Sequence, residues 1–448
     1  MRTRSIHLPM VTVLLLALGL TLTLALGSAL LPRPAGATSP PGRPGFTTQT
    51  RLGFIAGDDW EPAIATDRYG HVYALYKHYD LAGQTSCSSC DQHLILQVSG
   101  DRGTTWSQPH AIDPEVVQGG QYDSQIAVDP VDGKTVWAAF LQKSKSSIAI
   151  MKSTDFGQTW SGPTIIENLQ RATDKDILAV RGATVAVAYN AVQKVYAAIS
   201  HDGGQTWSNT LVSDGSDQLG WSLGGGGGID SQGNIYFGFD GYTQNGQAKG
   251  PVNLWTSVSH DGGATWLLRK VGVSGAPYPC NNCGFAFLGA AISMAIGSDD
   301  TAYILWNATV DQTDYAPERI YFAKSTDHGA TFSVRQDVSL APQGVEHAFP
   351  AITTGTIAGD VRVGWTDTRI SGSWNVWYRS STDGGATWSG ETRISGYVPG
   401  YNYLMANGFG LPYGDYFEMD VDSANVTQIV WGESSSYAGP GNIWTVHN

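Results

Sequence analysis

From about residue 46 to the C-terminus, the chain is built of short runs in which apolar and polar positions alternate, broken every few residues by turn formers. A period of two is the signature of β-strands with one buried face, and no stretch carries the 3.6-residue period of a long helix. The runs recur in a fixed order. Entry strands read PAIATD, SQIAVD, ILAVRG, GGGGID, SMAIGSD and PAITTG. Second strands read HVYALYK, TVWAAFL, TVAVAYN, NIYFGFD, AYILWNA and RVGWTD. Pairs such as Asp129-Pro130 and Asp132-Gly133 supply the turns between them.

An eight-residue phrase, Ser-x-Asp-x-Gly-x-Thr-Trp, closes each unit. It begins at Ser99, Ser153, Ser200, Ser259, Ser325 and Ser381, with Phe332 replacing the tryptophan once. Repeats 47 to 66 residues apart mean units that bury their apolar faces only against one another. Each phrase reads as the turn of a hairpin. Its Asp, Ser and Thr bond the turn's own backbone, its Gly meets a need for positive φ, and its aromatic ring packs between adjacent sheets. These roles are structural. This phrase is the Asp box, or BNR repeat, and the chain from residue 46 resembles the sialidase superfamily of β-propellers.

The strands after the sixth box, FEMDVD, TQIVWGE and NIWTVHN, make three of the four strands of a further sheet without a box. The run Thr48–Leu52 resembles Glu391–Ile394, the last strand of the sixth unit, so it is expected to complete that final sheet. The expectation is an all-β, seven-bladed propeller over residues 46–448, its last blade closed by the N-terminal strand, which hides otherwise exposed sheet edges. Sialidases have six blades.

Residues 1–37 stand apart. Arg2 and Arg4 precede an apolar run from about Val11 to Leu31, and Ala35-Gly36-Ala37 offers a small-residue cleavage site. The segment reads as a secretory signal, with an uncleaved membrane anchor as the competing reading, and residues 38–45 read as a Pro/Gly-rich linker. The expected location is therefore secreted or extracytoplasmic, and the expected state a monomer. Without residues 1–37 the chain holds 23 basic against 39 acidic residues, a formal charge of −16. Such a balance argues against nucleic acid and against anionic membrane surfaces as partners. A glycan or an extracellular protein is the expected partner.

Four cysteines form two pairs, Cys87 with Cys90 and Cys280 with Cys283, each with two intervening residues. An exported chain favours local disulfides. A four-thiolate metal site and a redox role are the alternatives.

The resemblance implies a chemistry to look for: three arginines on a substrate carboxylate, a Tyr nucleophile activated by Glu, and an Asp acid/base. The first family arginine stands in a Phe/Tyr-Arg-Ile-Pro motif. The corresponding segment here is Asp58-Asp59-Trp60-Glu61-Pro62-Ala63-Ile64, with the proline and without the arginine. Arg171, Arg319 and Arg369 sit in loops directed to the same mouth but match no family motif. Glu61, Asp123, Asp174, Glu346 and Asp415 each precede an entry strand and are expected to ring the central opening. There they could act as acid and base or hold Ca²⁺, the one cofactor considered. Tyr416 or Tyr413 could pair with Glu418 or Glu346. Trp60, Trp221, Trp374, Tyr401, Tyr403 and Tyr413 supply flat surface suited to sugars or to a protein. The run Gly224–Gly228 lacks the Lys and helix of a phosphate loop, and is expected to let an inner strand pass close to its neighbours.

The functional expectation is an extracytoplasmic recognition propeller for glycan or protein. An exo-sialidase-type glycoside hydrolase and a non-catalytic scaffold or metal-binding protein are the alternatives.

Overall fold

Seven antiparallel sheets follow one another along the chain, and no helix occurs among the described residues. The computed structural model describes residues 45–54, 57–79, 93–113, 120–142, 145–166, 174–244, 248–278, 288–401 and 403–448. The N-terminal segment 1–37 and Arg171 lie outside these residues. So do Cys87, Cys90, Cys280 and Cys283, and with them the local disulfides expected at Cys87–Cys90 and Cys280–Cys283. Among the described residues no helix is long and apolar enough to cross a membrane.

Each sheet is a blade whose first strand is innermost. The inner strands are Asp58–Thr66, Gln121–Val128, Asp176–Arg181, Ser222–Ile229, Ile292–Ile296, His347–Thr354 and Leu411–Val421. The expected closure is present. Thr50–Leu52 pairs antiparallel with Asn442–His447, in the register Thr50 to Thr445, Arg51 to Trp444 and Leu52 to Ile443. One element was not legible: Leu404–Met405 and Gly408–Phe409 form a small hairpin that pairs through Phe409 with Trp374 and extends blade 6.

The Asp boxes fold as their chemistry requires. In all six, Asp Oδ1 accepts the backbone N–H of the box Thr and the Ser hydroxyl, and Oδ2 accepts the Thr hydroxyl. The Ser oxygen in turn accepts the box Gly N–H at 2.7–2.9 Å. The box Gly has φ between +76° and +93° in every copy. The residue before it is left-handed too, even where it is Arg102, Phe156 or His328.

The core is divided among the seams. Trp106 packs with Leu52, Ile64, Val430 and Ile443 between blades 7 and 1. Trp160, Trp207, Trp266, Phe332 and Trp388 do the same at the next five seams. Each box therefore wedges its own blade against the preceding one. The seam between blades 6 and 7 has no box ring; Trp374, Trp431, Trp444 and Phe409 of the added hairpin fill it.

Candidate functional site

The inner strands share a device that builds the site. A β-bulge inserts an extra residue, bends the strand and re-aims a side chain. Register slips in the inner strands of blades 1, 2, 4, 6 and 7, at residues 61–62, 123–124, 225–226, 349–350 and 413–416. Left-handed residues occupy these positions: Glu61, Asp123, Gly226, Phe349 and Gly414, with Lys175 at the same place in blade 3. Glycine serves blade 4 because space is short. A β-carbon on Gly225 would lie 1.8 Å from the carbonyl oxygen of Ile292 in blade 5, the close approach expected of the glycine run.

Inside the ring of bulges lies a central cavity of about 230 Å³. Its polar wall includes Gln125, Lys175, Asp240, Ser293, Tyr416 and Glu418. Its apolar wall comes from Leu223, Ile292, Met294, Phe349, Phe417 and Met419. No arginine among the described residues lines it. Lys175 sets its ammonium 4.0 Å from the centre of the Tyr416 ring, a favourable cation–π distance. Glu418 accepts from Ile64 N–H at 3.1 Å and from Gln125 Nε2 at 3.3 Å. Burial nevertheless pushes its carboxyl up to about 7, because those two donors offset only part of the desolvation.

A carboxylate rim adjoins the cavity. Lys145 lies 3.2 Å from Asp123 and also bonds Asp174. Burial works against the lysine's charge, but Asp123, Asp174 and Glu61 outweigh it and raise the ammonium above its ordinary value. The Tyr416 hydroxyl donates to Asp123 at 3.4 Å and so joins rim to cavity. Asp176 is fully buried behind them, and both its oxygens lack a hydrogen-bond partner. Burial, then the Asp123 charge, drives its carboxyl well above the usual range.

The candidates expected at one rim fall into three groups. Glu61, Asp123, Asp174 and Tyr416 come together as described. Asp415 lies in the same blade 7 bulge, and its side chain is not described. A second group sits in blades 5 and 6. Arg319 gives its donors to Asp337 at 2.9 Å and to the carbonyls of Ala341 and Ser339 at 2.9 Å. Arg369 bonds Asp367 through Nε and Nη2, bonds Glu391 through Nη1, and stacks 3.8 Å over Trp377. Glu346 accepts from Glu318 N–H at 3.1 Å, and burial lifts it to about 7.

The third group is the aromatic candidates, which pack in or beside the seams, Tyr413 linking blade 7 to blade 1. Asp58 accepts from Trp60 Nε1 at 2.8 Å and from the Tyr413 hydroxyl at 2.9 Å. Tyr403 donates to Asn442 at 2.8 Å, and Tyr401 meets Trp444 edge-on at 5.0 Å. Trp374 is buried in the seam between blades 6 and 7, and Trp221 packs on the apolar cluster between blades 4 and 5.

The calcium expectation would draw on these rim carboxylates. Among the described residues no group of three His, Cys, Asp or Glu is arranged to hold a metal ion, and the Lys145 ammonium already occupies the gap between rim carboxylates. The four-thiolate alternative rests on Cys87, Cys90, Cys280 and Cys283, which stand outside the described residues.

Sequence reasoning passed over Lys145, Lys175 and Asp176. A signal for Lys175 was available: the columns EPAIA, KDILA and FPAIT align Glu61, Lys175 and Phe349. Choosing acidic residues near that column selected Asp174 and Glu346 instead of their left-handed neighbours.

Comparison with known proteins places these repeats. Residues 51–218 match the family model described as "BNR repeat-like domain". No curated protein matches the sequence. Among solved structures, a Dyadobacter fermentans protein of unknown function is 12% identical, with TM-score 0.48, over 90% of this chain and 99% of its own. A polysaccharide lyase described as a PL25 ulvan lyase is 12% identical, with TM-score 0.49, over 88% and 95%. A Trypanosoma rangeli sialidase is 13% identical, with TM-score 0.45, over 89% of this chain and 56% of its own. With six Asp boxes set in seven sheets around a central cavity, the described chain is a seven-bladed β-propeller whose residues 51–218 match the BNR repeat-like family model.

Proposed function

We propose that the protein is an extracytoplasmic glycan-recognition propeller that takes its ligand in the central cavity. The observation that carries this reading is how charge is spent at the mouth. Arg319 and Arg369 commit their donors to carboxylates and backbone carbonyls, and no described arginine lines the cavity. The described residues therefore build no bidentate clamp of the kind that suits an anionic sugar there. The cavity offers instead a few polar groups over an apolar wall, the usual composition of a small-molecule site. The leader-like residues 1–37 and the formal charge of −13 support an exported protein with no nucleic-acid partner.

The test is a glycan array probed with the purified protein, beside a fluorogenic sialoside assay. Retention on defined glycans without turnover is the expected result. Binding that survives enzymatic removal of surface glycans would point to a protein ligand instead.

A second reading, a glycoside hydrolase, has one observation in its favour. Tyr416 lines the cavity and donates to Asp123 on its rim, and burial pushes the Glu418 carboxyl in that cavity up to about 7, so an acid, a base and a hydroxyl adjoin one site. Release of free sugar, abolished by Glu418→Gln, would establish it.

A further inference from the structure

Left-handed residues elsewhere in this chain sit mostly in turns, as in the Asp boxes, where a tight reversal requires them. Those of the inner strands do not. Glu61, Asp123 and Phe349 stand within strands at φ of 53°, 55° and 51°, and Lys175 stands at 51° on the threshold of one. An L-residue near φ +50° carries a steric cost that glycine would avoid, and blades 4 and 7 do use Gly226 and Gly414 at this place. Strained positions of this kind persist where the side chain itself is needed. Here the side chains converge. Lys175 and Phe349 both line the central cavity, as does Tyr416 at the end of the blade 7 bulge, and Asp123 is tied to it by the Tyr416 hydroxyl.

We propose that the bulge positions, present in six of the seven inner strands, form a ring around the cavity in which Lys175 and Phe349 read the ligand, and that the ligand class they read is an uncharged sugar ring. The proposal rests on the glycan reading above and adds which residues read the ligand and which sugars they accept. Phe349, with Met294 and Leu223, gives one apolar wall against which the C–H face of a pyranose can lie. Lys175, Gln125 and Ser293 also line the cavity and can read sugar hydroxyls, and the Tyr416 hydroxyl, which donates to Asp123, offers its oxygen as an acceptor. Lys175 is the one cation among the described lining residues and stands against two carboxyl groups, Asp240 and Glu418. A carboxylate-bearing sugar would meet that acidic pair without an arginine fork to hold it.

The probes are the methyl glycosides of galactose, glucose, mannose and fucose, and of N-acetylneuraminic acid, titrated calorimetrically into the full chain. At least one neutral glycoside is expected to bind, and the neuraminic acid glycoside is not. Lys175→Gly should weaken that binding at least tenfold with a Tm at or above that of the parent, because glycine relieves the backbone while removing the donor. Glu61→Gly should likewise keep or raise Tm. Wild-type affinity in Lys175→Gly, with Tm lowered in both glycine variants, would show the positions to be structural and overturn the ring while leaving the glycan reading in place. Preference for the acidic glycoside would overturn the sugar class alone. Binding of none of the five would overturn the glycan reading and the ring with it.

Discussion

Lys175 and Tyr416 meet across the propeller axis: the ammonium of blade 3 stands 4.0 Å from the ring of blade 7, although blades 1 and 2 separate them along the shorter arc. Gln125 of blade 2 reaches Glu418 of blade 7 in the same way. The site is thus assembled from residues hundreds of positions apart, and its geometry depends on the ring being closed. What holds the ring and what reads the ligand can be perturbed separately.

Closure depends on a three-residue strand. Leu52 is 2% exposed and packs with Ile443 and Val430 between blades 7 and 1. Leu52→Ala is expected to cost about 2–5 kcal/mol in urea unfolding. Removing residues 1–54 should expose the edge of Asn442–His447 and produce oligomers on size exclusion with light scattering.

A single box can be weakened without touching the site. Ser259 is fully buried and accepts the Gly263 N–H at 2.7 Å. Ser259→Ala strands that donor and should cost about 1–3 kcal/mol. Ligand affinity, measured calorimetrically below the unfolding range, should not change.

Arg369 serves as a comparison residue for the arginine-clamp hypothesis. Asp367 is fully buried beneath it, so Arg369→Ala removes its counter-charge, leaving it the Trp365 Nε1–H and the backbone N–H of residue 369 as donors, and should destabilise by about 3–5 kcal/mol. The folded fraction should bind glycan as the parent does. A selective loss of binding at unchanged stability would place Arg369 in the ligand site.

Stability should fall as pH rises through the weakly acidic range. Burial raises the carboxyls of Glu418 and Glu346 to about 7 and of Asp420 to about 6. Each then holds its proton in the folded state after the unfolded chain has released it, between about pH 4 and 7. Folding binds protons in that window, so the unfolding free energy decreases with increasing pH, by on the order of 3 kcal/mol for Glu418 alone. Below pH 4 the slope reverses. Hydrogen bonds from the box threonines hold Asp155, Asp261, Asp327 and Asp383 at about 2, and protonation breaks those turns. Urea midpoints measured from pH 3 to 8 should peak near pH 4–5. Glu418→Gln should flatten the upper limb.

The sequence displayed the fold well because its signals are local. Period-two strands, the box chemistry and the resemblance between Thr48–Leu52 and Glu391–Ile394 all act within a few residues. The hairpin at Leu404–Phe409 escaped notice because its two-residue strands are too short to show a period. The site was legible only in part, since a loop lysine such as Lys145 carries no pattern and its partners come from neighbouring strands. The aromatic residues misled most readily. Trp374 and Tyr413 are apolar surface in composition, but one fills a seam and the other ties Asp58, and only three-dimensional packing tells these from a sugar platform.

Six seams are pinned by an indole or phenyl wedge delivered from the following blade, and the seventh, between blades 6 and 7, is filled by tryptophans and a borrowed hairpin instead. A circle with one irregular joint has a preferred line of fracture. Mechanical or thermal opening should begin there, drawing the Phe349 wall of the cavity away from Phe417 and Met419 while Tyr416 and Glu418 keep their partners in blades 1 to 3.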